Sequence, residues 1–410
     1  MRDVIVIADD LTGAADCGIA FSVAGLPVFV SFGDVAAQPS VRVVSVDLDS
    51  RWRPEAEAVL RVRAATQEAQ REGSRALYKK IDSTLRGHVG AELAAMSRAV
   101  ADAGGKAPLF IVAPAFPATG RTTREGRVFV GGEPLDSSEV WRKSGMTGTA
   151  SLVPMLEAAG LRAAVIEPVW LGADPEVDAA VCDAKDEGDL RRIAEAGARV
   201  GRPVIWVGSA GLARHLPAAL ALRPEKRVRE RTVERASRRI LTLVGSRSTL
   251  AREQARFLGE EPGVATLVLD ESTLLAGEQS AAWSRSAELL QIALAHGQDP
   301  LLIIGLGAKV ELEHAPALAS AVARLAAAHA GRIGGLVATG GDIARAALDA
   351  LNASGLHLAG EVEPGVPLGF ADTEPPLPVV TKAGAFGTKA ALQRSRAALQ
   401  RIITIPTVSH

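Results

Sequence analysis

Short aliphatic, β-branched runs alternate along this chain with polar, glycine-bearing turns and longer alanine-rich stretches of helical period. In the first half the runs at 4–8, 41–46, 75–81, 109–113, 163–166 and 204–207 predict strands. The clearest helix is 89–103, where Leu93, Met96 and Val100 recur on one face with charged residues between them. The pattern breaks at 223–239, RPEKRVRERTVERASRR, with eight basic and three acidic residues. It restarts with runs at 240–244, 266–269, 301–304, 336–338 and 378–381, and an alanine-rich helix over 315–330. Strand followed by helix, repeated, predicts parallel sheets covered by helices. The expected fold is α/β: two domains with largely parallel sheets, 1–225 and 239–410, facing each other across a cleft and joined by a charged linker at 226–238. A nucleic-acid contact is the minor reading of that charge run, a solvated connector the major one.

Composition agrees with this division. The 410 residues exceed one ordinary core, and 48% hydrophobic with only 4% aromatic content means cores of Ala, Val, Leu and Ile. A net charge of −1 offers no global field for nucleic acid or an anionic membrane, so an anion has to be captured locally. Asp9 and Asp10 interrupt the first apolar run before a signal-peptide core is complete, and no run reaches membrane-spanning length. Cys17 and Cys182 stand apart among aliphatic neighbours, as a reducing, cytoplasmic setting allows.

Candidate chemistry gathers where strands end. ADDLTGAAD at 8–16 puts Asp9 and Asp10 where the first strand gives way to a helix, the edge at which open α/β sheets bind ligands. There a carboxylate can accept from a substrate hydroxyl, or take its proton, and Asp10 is the candidate base; the alternative is a helix cap. YKKIDSTLRGH at 78–88 places Lys80, Ile81, Asp82, Ser83 and Arg86 in one polar loop suited to a carboxylate and hydroxyls. Its alternative is a cap built from Asp82, Ser83 and Thr84 with solvated bases, and His88 alone decides nothing. Arg51 and Arg121 follow two further strands, so Lys80, Arg86, Arg51 and Arg121 are expected to converge on a small anion.

In the second half three turns follow strands and lead into helices: Gly245-Ser246-Arg247-Ser248, Thr339-Gly340-Gly341-Asp342 and Lys382-Ala383-Gly384. Glycines that let a backbone approach, followed by free helix-start N–H groups, form a phosphate cradle. Asp342 either helps hold Mg²⁺ or caps the helix after it. No Walker-type motif occurs, and Gly305-Leu306-Gly307 lacks the third glycine of a dinucleotide fingerprint. No histidine pair has metal spacing, and Glu311, Glu313 and His314 read as an exposed helix edge, so no intrinsic metal is expected.

Together, ADDLTGAAD (8–16), KKIDSTLRG (79–87), PAFPATGR (114–121), GSAGLA (208–213), TGGD (339–342) and TKAGAFG (381–387) resemble the four-carbon acid sugar kinase family, which includes D-threonate, D-erythronate and 3-oxo-tetronate kinases. The resemblance implies a sugar-acid-binding N-terminal domain, a nucleotide-binding C-terminal domain, and ATP with Mg²⁺ phosphorylating the terminal hydroxyl of a tetronate. It places Asp10, Arg51, Lys80, Ile81, Asp82 and Ser83 at the substrate, and Ser248, Gly340, Gly341, Asp342, Ile343 and Gly384 at the nucleotide; Asp9, Arg86 and Arg121 join the first group, and Ser246 the second, from the reading of the loops themselves. Two departures stand out: Arg247 where relatives often carry cysteine, and a segment at 144–155 without the usual Asp-Pro or His-Pro. D-threonate is the expected acceptor, with D-erythronate and 3-oxo-tetronate as alternatives, and the resemblance leaves room for a homodimer. Rivals of other classes are an NAD-linked hydroxy-acid oxidoreductase and a non-catalytic sugar-acid binder.

Overall fold

The computed structural model describes residues 2–38, 40–138, 141–142, 144–225, 232–246, 248–305 and 314–404. Two compact units divide the chain, 1–226 and 227–410.

The first unit is built on a parallel sheet. Its strands are β1 (Arg2–Ala8), β2 (Val28–Ser31), β3 (Val43–Asp47), β4 (Ser74–Lys80), β5 (Leu109–Ala113), β9 (Ala163–Val165), β10 (Ala179–Val181) and β11 (Val204–Gly208), in the order β2-β3-β1-β4-β11-β5-β10-β9. Residues 121–134 form a separate antiparallel meander, β6 (Arg121–Arg124), β7 (Arg127–Val130) and β8 (Glu133–Pro134). Helices α1 (Leu11–Val23), α2 (Glu55–Glu72) and α3 (Val89–Asp102) are the crossovers that parallel pairing requires. Strands β1, β3 and β5 are buried throughout because helices cover both faces of the sheet, and Ile5, Ile7, Val44, Val46, Phe110 and Val112 share a core with Val62, Leu93 and Met96 of α2 and α3.

Register fixes where the site lies. Ala8 pairs with Asp47 on one side and Lys80 on the other; Lys80 pairs with Gly208, and Gly208 with Ala113. Five strands therefore end on one line, and the loops at 9–10, 48–51, 81–88 and 114–120 all leave from it. The sequence reading anticipated this edge but missed β2, β10 and the meander, whose strands are short and carry no strong alternation.

The second unit has strands β13 (Ile240–Val244), β14 (Val264–Leu269), β15 (Asp299–Ile304), β16 (Gly335–Thr339), β17 (Gly355–Glu363), β18 (Val366–Ala371) and β19 (Leu377–Lys382), in the order β14-β15-β13-β16-β19-β18-β17. The first five run parallel, while β17 and β18 form an antiparallel hairpin that the sequence reading did not anticipate. Val244 pairs with Thr339, and Thr339 with Lys382, so the three expected turns do lie on adjacent strands. Ile240, Val244, Leu301, Val337 and Val380 form the core with Ala255, Leu258, Leu392 and Leu399 of the helices Thr249–Gly259 and Ala391–Ile402.

The charged stretch is not wholly a connector. Val233–Glu234 forms β12, paired in parallel with β20 (Ile403–Thr404), and Val233 is buried. Residues 226–231 of the expected linker, with Arg247, Glu311 and Glu313, lie outside the described residues.

Candidate active site

Strand β1 releases Asp9 and Asp10 into the start of α1, and the loop after β3 returns Arg51 onto both. The Ser50 and Arg51 N–H groups donate to the Asp9 carbonyl at 2.9 and 3.1 Å, which seats the loop. The Arg51 guanidinium then forks. Nε and Nη2 donate to the two Asp9 oxygens at 2.7 and 2.9 Å; Nη1 and Nη2 donate to those of Asp10 at 2.6 and 2.7 Å. All three side chains are buried. A planar guanidinium is the one side chain able to satisfy two carboxylates this way. Burial alone would raise the Asp9 pKa, but Arg51, Lys80 and Lys79 outweigh it and hold Asp9 below the usual carboxylate range. Burial likewise opposes the charge of Arg51, and Asp10 and Asp9 push its pKa well above the ordinary value.

Asp10 also caps α1, accepting from the Gly13 N–H at 2.9 Å and from Thr12 Oγ1 at 2.6 Å. Each Asp10 oxygen thus accepts twice, whereas among the described residues the Asp9 oxygens accept from Arg51 alone.

Beyond β4 the chain makes a tight polar turn. Asp82 accepts from Thr84 Oγ1 and the Arg86 N–H, and pairs with the Arg86 guanidinium at 2.6 and 3.0 Å. Desolvation of Asp82 is overcome by Arg86, Arg51 and Lys80, so its pKa falls well below normal. Leu85 holds φ of 58° and Gly87 of 90°, left-handed conformations of which only the glycine's is cheap. A Cβ on Gly87 would stand 3.4 Å from Asp9 Oδ2 and 3.7 Å from Arg51 Cγ, so this turn packs onto the Asp–Arg cluster. Ser83 is buried at the same turn. Ile81 enters the core and gives its N–H to the Gly208 carbonyl, so its side chain is structural.

Lys80 completes the group. It is 5% exposed, and among the described residues its ammonium makes no hydrogen bond or ion pair with the protein. Its place over the first turn of α1 is clear from Gly13, where an added Cβ would lie 2.7 Å from Lys80 Nζ and 2.5 Å from Asp10 Oδ1. Arg121, at the start of β6, is buried; desolvation lowers its pKa while Asp82 raises it. The expected convergence of Arg51, Lys80, Asp82 and Arg86 with Asp9 and Asp10 is present, and Arg121 is electrostatically coupled to it through Asp82. Arg51 and Arg86, however, spend their forks on carboxylates.

Sequence reasoning missed the support beneath. Lys79, fully buried, pairs with Glu92 of α3 at 2.8 Å, and Glu92 accepts from Ser50 Oγ at 2.8 Å. The signal was an acidic residue on an otherwise apolar helix face, three positions after Val89. His88 lies at the surface, its Nε2 at 2.8 Å from the Arg53 carbonyl.

In the second unit Ser248 caps helix Thr249–Gly259 through the Ala251 N–H at 3.1 Å and donates to the Gly384 carbonyl at 2.8 Å. Ser246 Oγ lies 3.4 Å from Ser248 Oγ, and a Cβ on Gly384 would fall 1.8 Å from Ser246 Oγ. Gly340 has φ of 106° and precedes helix Gly341–Ala350 as its cap; Ile343 packs over Gly245, where an added Cβ would lie 2.3 Å from Ile343 Cγ1. The three turns are thus brought together through Gly245, Ser246, Ser248, Gly340, Ile343 and Gly384, and glycine is required where they meet. Asp342 lies inside the first helical turn, so the cap reading for it is corrected: the position before the helix belongs to Gly340. Gln254, wholly buried and missed in the sequence, ties the third turn down by donating to the Phe386 and Thr388 carbonyls at 3.1 and 2.8 Å. Among the described residues no group of acidic, histidine or cysteine side chains is arranged to hold a metal, and no helix is long and apolar enough to cross a membrane. Both cysteines are buried and free, with Cys182 pushed up to about 12 by burial.

Both units match families of known proteins. Residues 4–216 match the family model of the sugar-binding N-terminal domain and residues 241–392 that of the nucleotide-binding C-terminal domain. The chain is 41% identical to a D-threonate kinase of Cupriavidus necator over 95% of its own length and 96% of the relative's. A D-threonate kinase of Bordetella bronchiseptica is 35% identical, covering 96% of this chain and 97% of that one. A D-erythronate kinase of Heliobacterium modesticaldum is 28% identical over 94% of each. Among solved structures, a protein of Salmonella typhimurium LT2 superposes with a TM-score of 0.77 at 25% identity, over 96% of this chain and 99% of that one. Near-complete coverage by kinases, with both domain models in place, removes the oxidoreductase and passive-binder readings: the chain belongs to the four-carbon acid sugar kinase family.

Proposed function

We propose that this chain is a D-threonate kinase, transferring the γ-phosphoryl group of ATP to the terminal hydroxyl of a four-carbon sugar acid. The observation that carries the acceptor assignment is Lys80: a buried lysine whose ammonium has no hydrogen bond or ion pair among the described residues, in a cluster whose arginines Arg51 and Arg86 are already paired. A buried ammonium without hydrogen-bond acceptors is costly even beside carboxylates, and a substrate carboxylate removes that cost. Asp9, Asp82 and Ser83 then face hydroxyls as acceptors and donors. The preference for D-threonate over D-erythronate and 3-oxo-tetronate rests on the curated D-threonate kinases at 41%, 35% and 32% identity.

Ser246, Ser248, Gly340, Gly341, Asp342, Ile343 and Gly384 take the nucleotide. Mg²⁺ would be supplied with the nucleotide and would neutralise phosphate charge; Asp342, Ser246 and Ser248, oxygen donors only, are the residues that would meet it. Phosphoryl transfer depends on positioning and charge neutralisation, so the acceptor hydroxyl has to lie in line with the transferred phosphoryl group. Asp10 is the base in this scheme, and taking the proton requires it to release a bond such as that from Thr12 Oγ1. ATP as co-substrate and two free, buried cysteines support a cytoplasmic setting.

A coupled ADP-release assay across D-threonate, D-erythronate, L-threonate and 3-oxo-tetronates tests the proposal. The largest kcat/KM is expected for D-threonate; turnover confined to another acid would replace that assignment, and no ADP release with any of them would end it.

A further inference from the structure

A second buried cation stands in the C-terminal unit, among the glycine turns. Lys382 ends β19, whose other residues are Leu-Pro-Val-Val-Thr, and it is 1% exposed. Among the described residues no carboxylate forms an ion pair with it. Its Nζ donates one long bond, 3.3 Å, to the Gly384 carbonyl, which already accepts from Ser248 Oγ at 2.8 Å. The nearest acidic influence, Glu363, is engaged elsewhere, accepting from the Thr388 N–H and Oγ1 and from Arg394. Burial drives the Lys382 pKa down to about 7 against the pull of Glu363.

One strand across and in register, Thr339 is fully buried with an Oγ1 that has no hydrogen-bond partner among the described residues. Two under-supplied polar groups therefore lie side by side where β16 and β19 give way to their turns. A lysine kept for stability alone would be better replaced by an apolar residue of the same length, because a poorly paired buried charge destabilises a fold. A lysine kept for a ligand has a different logic. It waits beneath the Gly340 and Gly384 turns, whose backbones admit close approach and whose following helix presents free N–H groups.

We propose that Lys382 is a phosphate-binding residue of the nucleotide site: its ammonium takes the polyphosphate oxygens of ATP, which replace the Gly384 carbonyl as the turn at 383–387 shifts. Thr339 is then a positioning residue that receives one N–H of the ammonium. This rests on reading the C-terminal unit as the nucleotide site, and deepens that reading.

The test is calorimetry of ATP, ADP and adenosine binding to the full chain, to Lys382→Met and to Lys382→Gln. Glutamine keeps a donor for the Gly384 carbonyl but no charge, so it rescues a structural role and not this one; it also serves if the methionine variant fails to fold. Both variants are expected to bind ATP and ADP at least tenfold more weakly, with adenosine binding and D-threonate binding unchanged. ATP affinity equal to wild type in either folded variant, or full rescue by glutamine, overturns the assignment. A wild-type chain that binds no nucleotide overturns the underlying reading as well, which separates the two failures.

Discussion

Lys79 and Lys80, consecutive in β4, serve opposite faces of the sheet: Lys79 pairs with Glu92 of α3 at 2.8 Å, and Lys80 reaches over the first turn of α1 beside Gly13. The two-residue period of a strand separates their roles completely. Lys79→Met strands the Glu92 carboxylate in the core and is expected to destabilise the fold by about 3–5 kcal/mol. Lys80→Met leaves no protein carboxylate without its hydrogen bonds, so its melting temperature should stay at or above wild type while KM for the sugar acid rises tenfold or more. Thermal melts and acceptor kinetics on the pair decide this; equal effects on both readouts would refute the division of labour.

Gly384 meets Ser246 too closely for any side chain. Gly384→Ala places a methyl 1.8 Å from Ser246 Oγ, so the turn has to open and the Ser248 bond to the Gly384 carbonyl is lost. ATP affinity should fall tenfold or more, while sugar-acid binding by the first unit stays as it was. Isothermal titration of each ligand separately makes the comparison.

Asp10 is both cap and charge partner, and Asn keeps part of each. Asp10→Asn should lose about 1 kcal/mol of stability, leave ATP affinity unchanged, and lower turnover at least a hundredfold. Turnover within a few-fold of wild type would discard the base assignment.

The sign of one pH effect follows from Lys382. Its pKa is about 7 when folded against 10.5 for the free side chain, so between these values the unfolded chain holds a proton that the folded chain does not. Stability of the ligand-free protein from this group therefore increases as pH rises from about 7 towards 10.5, at most about 1.4 kcal/mol for each unit of displacement. Subtracting the Lys382→Met melting curve removes other titrations, and a difference that is flat with pH would contradict the shift.

Much of this was legible because strand, turn and helix repeat with strong local signals. The runs ending at Ala8, Asp47, Lys80 and Ala113 were placed within a few residues, and the turns after them contained the clustered charges. What escaped depends on pairings between distant segments. Nothing local in Glu92 or Gln254 says that one meets a lysine from β4 and the other two carbonyls after β19. Lys382 was visible within its motif, but only the absence of an ion-pair partner in three dimensions gives it a meaning. Likewise Arg51 was expected at the substrate, and the carboxylates that pair with it lie 41 and 42 residues away, whereas Arg86 pairs with Asp82 only four residues off.

The enclosure around Lys80 has an electrical consequence. Arg51, Lys80, Arg86 and Arg121 face Asp9, Asp10 and Asp82, four positive groups against three negative, all of them buried except the partly exposed Arg86. One monoanion restores neutrality. If this cluster takes the sugar acid, as proposed, a lactone or amide of the same acid would leave an excess charge and a dicarboxylate would overshoot, so the valence of the guest is selected before any hydroxyl is read.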